Sequence, residues 1–159
     1  MNDADFMLEA IAEAKLAADI GETPVGAVVV RNGRIVGRGR NRRETSKNAV
    51  AHAEIEAINE ACRTLGGWRL WECEMFVTLE PCPMCAGAII NARIRRLVFG
   101  AYDLKSGSCG SVTNLFALPY NHSPQSVGGF MSDECSALLK SFFADVRRGI
   151  KKAPDGRDK

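Results

Sequence analysis

The stretch EMFVTLEPCPMC, residues 74–85, decides the fold of this chain and the place of its chemistry. Its first half is apolar and predicts a strand over 74–79. The prolines at positions 81 and 83 break that strand, and small residues then predict a helix over 84–92. The stretch therefore predicts a strand, a break and a helix, with two cysteines at the break.

Those two cysteines, Cys82 and Cys85, have the spacing of a metal-binding pair. A gap of two residues lets both sulfurs face one ion, and the N-terminus of a helix favours the thiolate form that binds zinc. His52 stands at the start of another predicted helix, over 51–62. Because the intervening helix and strand bring both helix starts to the same edge of a sheet, we predict that these three residues share one zinc ion.

Three protein ligands favour a catalytic zinc site, because a structural site closes with four. The fourth position is then open to a water molecule whose pKa the metal lowers. Glu54 lies two residues beyond His52, where a carboxylate takes a proton from that water without binding the metal. No fourth ligand is predicted from His122 or from the remaining cysteines, which are expected to be buried: Cys62, Cys73, Cys109 and Cys135. A redox cysteine pair and a purely structural zinc site remain alternatives.

The rest of the chain alternates between helices and strands. Further helices are predicted over 4–19 and 133–148, and further strands over 25–30, 34–39 and 96–99. Asn32-Gly33 predicts a hairpin turn between the first two strands. This order predicts an α/β domain whose helices pack on a shared sheet. We expect one domain over 1–150 and a basic, disordered tail over 151–159.

Composition and charge exclude some functions and favour others. The chain of 159 residues has 46% hydrophobic residues but no apolar run of the roughly 18 residues that span a membrane. Its acidic N-terminal region argues against a secretory signal, so a cytoplasmic protein is expected. Although the net charge is only +2, residues 31–47 and the segment from Arg147 onward are rich in Arg and Lys. Two basic clusters favour a polyanionic partner, and an ordinary solvated surface is the alternative.

His-x-Glu followed by Pro-Cys-x-x-Cys is the signature of zinc-dependent nucleobase deaminases. Beyond this signature, the chain resembles the bacterial tRNA-specific adenosine deaminases from about residue 5 to about residue 152. The matching segments are Thr23–Val28, Asn41–Arg42, Ala51–Ile55, Val77–Cys82, Met84–Ala88, Val98–Ala101, Leu138–Leu139 and Phe142–Phe143. The resemblance implies a cytidine deaminase-like fold, a three-layer α/β/α sandwich with a mixed five-stranded sheet, which forms a homodimer with one Zn²⁺ per subunit.

The resemblance also implies an activity. In this family the wobble adenosine of an arginine tRNA with an ACG anticodon is deaminated hydrolytically to inosine, and ammonia is released. Water activated by the zinc attacks the carbon that carries the amino group. Glu54 then protonates the ring nitrogen and the leaving ammonia.

Contacts with the tRNA anticodon stem-loop follow from the same resemblance. Asn41 matches the asparagine that contacts the flipped base, and Val25, Ala53 and Pro81 match positions that line the pocket. The loop residues Asp103, Lys105 and Ser106 match residues that touch the anticodon. The C-terminal helix is expected to pack on the anticodon loop through Phe142, Phe143, Arg147 and Arg148.

Two other functions remain open. A deaminase of a free nucleobase or nucleoside, such as guanine or cytosine, would use the same zinc and Glu54 without needing a basic C-terminal helix. A catalytically silent, zinc-stabilised RNA-binding protein would not need Glu54. The chain also departs from the family at Asn48-Ala49-Val50, where a sequence of the Asp-Pro-Thr type is common. That departure concerns substrate contacts and leaves the metal ligands unchanged.

Overall fold

A computed structural model describes residues 1–150, so the predicted tail over 151–159 lies outside the described residues. The helices are α1 (Asp3–Asp19), α2 (Ala53–Leu65), α3 (Pro83–Asn91) and α4 (Ser132–Arg147), and the strands are β1 (Gly26–Arg31), β2 (Arg34–Arg40), β3 (Cys73–Leu79), β4 (Arg96–Ala101) and β5 (Gln125–Val127). A short 3-10 turn covers Leu115–Ala117. None of the helices described is both long enough and apolar enough to cross a membrane.

The five strands form one mixed sheet in the order β2-β1-β3-β4-β5. Strand β1 is antiparallel to both of its neighbours, whereas β3, β4 and β5 run parallel to one another. Side chains of β1 alternate between two cores, because successive residues of a strand point to opposite faces. Ala27 and Val29 pack with α2 and α3, while Val28 and Val30 pack with α1 and α4. The predicted three-layer α/β/α sandwich with a mixed five-stranded sheet is confirmed.

The residue pattern differs from the structure in the number of strands and at the start of α2, besides shifts of one to three residues at other element ends. It predicted four strands, whereas the fifth, Gln125–Val127, has three exposed residues and lacks a periodic apolar pattern. This strand exists through its parallel pairing with β4. Helix α2 begins at Ala53 and not at residue 51, because His52 has an extended backbone (φ −87°, ψ 155°) and occupies the N-cap position. The first difference results from strand pairing, and the second from the backbone conformation of the N-cap residue.

Helix α2 packs directly on the backbone of β2 through glycine. A Cβ atom added at Gly39 would overlap the carbonyl oxygen of Ala53, and one added at Gly37 would overlap that of Ala57. Neither glycine has a φ angle in the left-handed region. Glycine is therefore required at these positions because the backbone of α2 lies so close to that of β2. The start of α2, which holds His52, is therefore positioned by its contact with β2.

The Gly39→Ala variant is expected to destabilise the protein by about 1–3 kcal/mol, the usual effect of overpacking. The added methyl group must push the first turn of α2 away from the sheet. Chemical denaturation measures the change in the free energy of unfolding. Gly67→Ala is the matched control, because a Cβ atom at Gly67 meets no heavy atom within 4 Å. Equal stability of the two variants would contradict the packing argument.

Candidate metal centre and substrate pocket

The N-termini of α2 and α3 meet at one edge of the sheet and bring the predicted metal ligands together. His52 is the N-cap residue of α2 and Cys82 is the N-cap residue of α3. Cys85 lies in the first turn of α3 and is fully buried. Because β3 leads directly into Pro81 and Cys82, the strand end determines where the two sulfurs lie. The structure thus assembles the His/Cys/Cys group that the spacing predicted.

The three donor atoms have the geometry of a metal site. His52 Nδ1 lies 3.6 Å from Cys82 Sγ and 3.5 Å from Cys85 Sγ, and all three atoms lie within 4.8 Å of one another. A tetrahedral zinc ion bonded to nitrogen and sulfur at its usual bond lengths holds them about 3.6 Å apart. Among residues 1–150, no fourth His, Cys, Asp or Glu joins this group. The donor set fits zinc and leaves one tetrahedral position for a ligand from outside the protein.

Hydrogen bonds among the three donor side chains shift their pKa values. Hydrogen bonds from Cys85 and His52 lower the pKa of the Cys82 thiol to about 4, although burial opposes the shift. The bond to Cys82, together with burial, raises the pKa of Cys85. The bond to Cys82 also raises the pKa of His52. Since metal ligands bind in their deprotonated forms, a cation at this point replaces the shared protons.

The remaining four cysteines and His122 are not part of the donor group. Burial raises the pKa of Cys73 and Cys135 to about 11 and that of Cys109 to about 12. These three are buried as predicted, whereas Cys62 is only partly buried. His122 Nε2 lies 2.7 Å from the carbonyl oxygen of Ile94, which fixes the position of its ring.

Glu54 lies beside the donor group in the first turn of α2 and lines the same cleft. Its side chain is only 4% exposed. Burial raises the pKa of this carboxyl to about 7, and the neighbouring His52 acts in the opposite direction. A carboxyl group of this kind both accepts and returns a proton near neutral pH. The position of Glu54 therefore suits proton transfer within the cleft.

A cleft that is open to solvent leads to the donor group. The cleft contains these residues predicted from the family resemblance: Val25, Asn41, Ala53, Asp103 and Ser106. It also contains four residues that sequence reasoning missed: Thr23, Arg43, Leu79 and Glu80. Only their closeness in sequence to Asn41, Val25 and Cys82 could have indicated them. Pro81 is buried next to the cleft, and Lys105 is not among its lining residues.

Helix α4 presents only some of its predicted contact residues at the surface. Phe143 is 38% exposed, and Arg147 and Arg148 are exposed. Phe142, in contrast, is only 2% exposed and packs with Val146 in a small core. Phe142 therefore supports the helix, and the expected direct contact with RNA from this side chain does not fit its burial.

The basic cluster over 31–47 is largely neutralised in three dimensions. Five of its arginines form ion pairs with glutamates that are distant or adjacent in sequence: Arg31–Glu72, Arg38–Glu9, Arg40–Glu13, Arg42–Glu56 and Arg43–Glu44. The basic residues over 31–47 therefore do not form one continuous polyanion-binding surface. Arg43 is the one paired arginine of this cluster that lines the cleft.

Comparisons with known proteins agree with this site. The family model of MafB19-like deaminases matches residues 1–147. The tRNA-specific adenosine deaminase of Bacillus subtilis (strain 168) is 47% identical over 152 residues, which are 95% of this chain and 94% of that protein. A solved structure from a study of A-to-I editing by tRNA:A34 deaminases superposes with a TM-score of 0.83 at 43% identity, covering 86% of this chain and 99% of the other.

A guanine deaminase from Bacillus subtilis also has a similar structure, with a TM-score of 0.64 at 30% identity over 93% of this chain and 95% of the other. Its likeness is weaker on both measures than that of the tRNA:A34 deaminase structure. The chain belongs to the MafB19-like deaminases and, among these, to the tRNA-specific adenosine deaminase family.

Proposed function

We propose that this chain converts the wobble adenosine of a tRNA, A34, to inosine by hydrolytic deamination, with release of ammonia. The observation that carries the proposal is the triangle of His52 Nδ1, Cys82 Sγ and Cys85 Sγ with the Glu54 carboxyl beside it in one cleft. Zinc deaminases of bases use this set of groups. The high identity to tRNA-specific adenosine deaminases over nearly the whole chain supports the choice of substrate.

In this proposal, His52, Cys82 and Cys85 hold one Zn²⁺ per chain. When bound, zinc supplies a Lewis acid that lowers the pKa of water at the open coordination position. Glu54 accepts the proton of that water and returns protons to the adenine ring nitrogen and to the departing amino group. The burial of Glu54 serves this role, because a carboxyl whose pKa is raised to about 7 is able both to hold and to release a proton near neutral pH.

Asn41 is proposed to bind the flipped base, and two hydrogen bonds within the protein hold its amide in place. Its Nδ2 donates to the carbonyl oxygen of Thr23 at 3.2 Å, and its Oδ1 accepts from the backbone N–H of Arg43 at 3.1 Å. Each end of the amide keeps further hydrogen-bonding capacity toward the cleft. Val25 and Ala53 supply apolar surface in the same cleft, and Pro81 is buried next to the lining residue Cys82.

Contacts to the flanking nucleotides are proposed for the loop that holds Asp103, Lys105 and Ser106. The Asp103 carboxylate accepts from the backbone N–H groups of Lys105 and Ser106, and from the Ser106 hydroxyl at 2.8 Å. The loop thus has a defined shape next to the pocket. Phe143, Arg147 and Arg148 extend the proposed RNA surface along α4. We further propose a homodimer in the cytoplasm, where tRNA is modified.

Ammonia release by the purified, zinc-loaded protein tests the function. The substrates are an arginine tRNA anticodon stem-loop with adenosine at the wobble position and, in parallel, free adenosine, guanine, cytosine and cytidine. Turnover of the stem-loop alone is expected. Zinc content per chain and mass in solution, measured on the same preparation, test the metal stoichiometry and the homodimer.

A free-base deaminase is the second candidate, favoured by the similarity to a guanine deaminase structure. It would use the same metal ligands and Glu54. In the same experiment, turnover of guanine or another free base without turnover of the stem-loop would replace the tRNA function with nucleobase metabolism.

Replacing Arg147 and Arg148 together by Gln is expected to weaken stem-loop binding and to lower its dependence on salt. For every phosphate group that the variant no longer binds, the slope of log affinity against log salt falls by roughly 0.7–0.9. Titration of stem-loop binding at several salt concentrations measures that slope. Arg34→Gln is the control, because Arg34 is exposed at the first position of β2, whereas the cleft residues Asn41 and Arg43 follow the last position of that strand. An unchanged slope in the double variant would remove this end of α4 from the RNA surface.

A further inference from the structure

Two buried carboxylates at the cleft have no part in the chemistry described above: Glu80 is one of its lining residues, and Glu22 precedes the lining residue Thr23. Glu22 is 1% exposed and Glu80 is 2% exposed. Within the described residues, neither forms an ion pair with Lys, Arg or His. A buried charge without a counter-charge requires several hydrogen bonds to the ionised form. The donors in both cases come from loops that border the pocket.

Glu80 follows β3 and binds the loop after β4. Its Oε1 accepts from the backbone N–H of Asp103 at 3.1 Å, and its Oε2 accepts from those of Cys109 at 3.1 Å and Ser111 at 3.0 Å. The hydroxyl of Ser111 donates to Oε1 as well. Both carboxylate oxygens are thus used to hold one loop, from Asp103 to Ser111, in a closed arc.

Gly107 shows how tightly this arc surrounds the carboxylate. A Cβ atom at position 107 would overlap the carboxyl group of Glu80 and the carbonyl oxygen of Asp103. The φ angle of Gly107 lies outside the left-handed region, so the lack of a side chain serves the close approach alone. Asp103 and Ser106, which line the cleft, lie on this arc.

Glu22 performs the equivalent task for the loop after β2. Its Oε2 accepts from the backbone N–H of Thr45 at 2.6 Å and from the Thr45 hydroxyl at 2.7 Å. Its Oε1 accepts from the backbone N–H of Glu44 at 3.2 Å. This loop begins with Asn41 and Arg43, which line the cleft on the side of β1 and β2.

We propose that Glu22 and Glu80 are positioning residues that fix two walls of the substrate cleft and thereby set the affinity for the nucleotides around the reactive base. The proposal rests on the proposed tRNA function and concerns binding, not the chemical step. A rigid loop loses less conformational freedom when it orders against RNA, and this loss is what binding must overcome. Substrates that reach both walls therefore gain most from the two carboxylates.

Glu80→Gln and Glu22→Gln test the proposal, because Gln retains the shape but places an NH₂ group opposite backbone N–H donors. Each variant is expected to raise KM for the anticodon stem-loop by about 10-fold or more. A hydrogen bond to a charged group stabilises the held loop by at least the free energy of a tenfold change, and RNA binding must supply that free energy once the bond is lost. The kcat value and the zinc content should stay close to those of the wild type. Hydrogen exchange is expected to quicken at residues 103–111 in Glu80→Gln and at residues 43–47 in Glu22→Gln.

Milder variants cover the case in which a Gln variant fails to fold. Ser111→Ala removes one donor to Glu80, and Thr45→Val removes the hydroxyl donor to Glu22. Both should show the same change in KM to a smaller extent. Glu13→Gln is the matched control, since Glu13 is also buried, at 7% exposure, but pairs with Arg40 instead of with a loop. Its KM should equal that of the wild type.

Several results would overturn the proposal. They are a fall in kcat at unchanged KM, a loss of zinc in Glu80→Gln, or a KM change in Glu13→Gln as large as in the two test variants. Unchanged hydrogen exchange in both loops would also overturn it, whatever the substrate. If the wild type does not turn over the stem-loop, the proposed function fails, and hydrogen exchange still decides whether the carboxylates fix the loops.

Discussion

Glu54→Gln is expected to reduce deamination of the stem-loop by about 10³-fold, within the range of about 10²–10⁴ that general acid–base catalysis contributes. Glutamine has nearly the same size and keeps a hydrogen-bonding side chain in the buried first turn of α2. It has no carboxylate to accept the proton of water, and it cannot deliver one to the ring nitrogen. The metal ligands remain intact, so the zinc content should stay at one per chain. Single-turnover kinetics on the stem-loop measure the loss in the chemical step.

Glu56→Gln serves as the control for Glu54. Glu56 lies in the same helical turn but pairs with Arg42, 2.7 Å away, and is not among the residues of the cleft. Its substitution should leave the rate of deamination near that of the wild type. Wild-type activity in Glu54→Gln would refute the assigned proton transfer. Loss of zinc from Glu54→Gln would instead place Glu54 in the support of the metal centre.

Cys85→Ala is expected to abolish stable metal binding and to lower the thermal stability of the protein. The substitution leaves two donors where the structure assembles three, and the thiol removed is fully buried. Substitutions in the outer shell of metal sites already weaken binding by about 10–100-fold, so the loss of a ligand should exceed that range. Since metal binding contributes to folding free energy, zinc should no longer raise the melting temperature of the variant.

Metal analysis and thermal unfolding, with and without a chelator, measure both effects. Cys62→Ala is the control, because Cys62 lies near the end of α2, is partly buried and is not part of the donor group. It should keep one zinc per chain and the same shift in melting temperature. A Cys85→Ala protein that binds one zinc with wild-type affinity would contradict the assigned ligand set.

The α/β class of the domain was predictable from local patterns, whereas the three-layer arrangement was implied by the family resemblance. In β1 and β3, apolar residues pack into the cores on both faces of the sheet. Helix periodicity and turn residues predicted the starts of the main helices to within two residues of those observed. Strand β5 was not accessible in this way, because Gln125–Val127 carries no apolar pattern and is held by pairing with β4. Only the family resemblance implied a fifth strand.

The clustering of charge along the sequence was a poor guide to a polyanion-binding surface. Arginines that are crowded along residues 31–47 meet glutamates of α1, α2 and the segment before β3 once the chain is folded. Residues that alternate along a strand face different neighbours, so closeness in sequence does not create one surface. Phe142 is a similar case, because only the packing of α4 decides that it is buried while Phe143 is exposed.

The sequence by itself identified the side chains that carry the proposed chemistry: His52 with Glu54, and Cys82 with Cys85. These pairs lie within two or three residues of each other at helix starts, so local geometry fixes how their side chains meet. Tertiary structure alone decided the walls of the cleft, where Arg43 and Thr23 join the pocket and Glu22 and Glu80 hold the loops. Those carboxylates reach residues more than twenty positions away, and most of their partners are backbone N–H groups that nearly every residue offers.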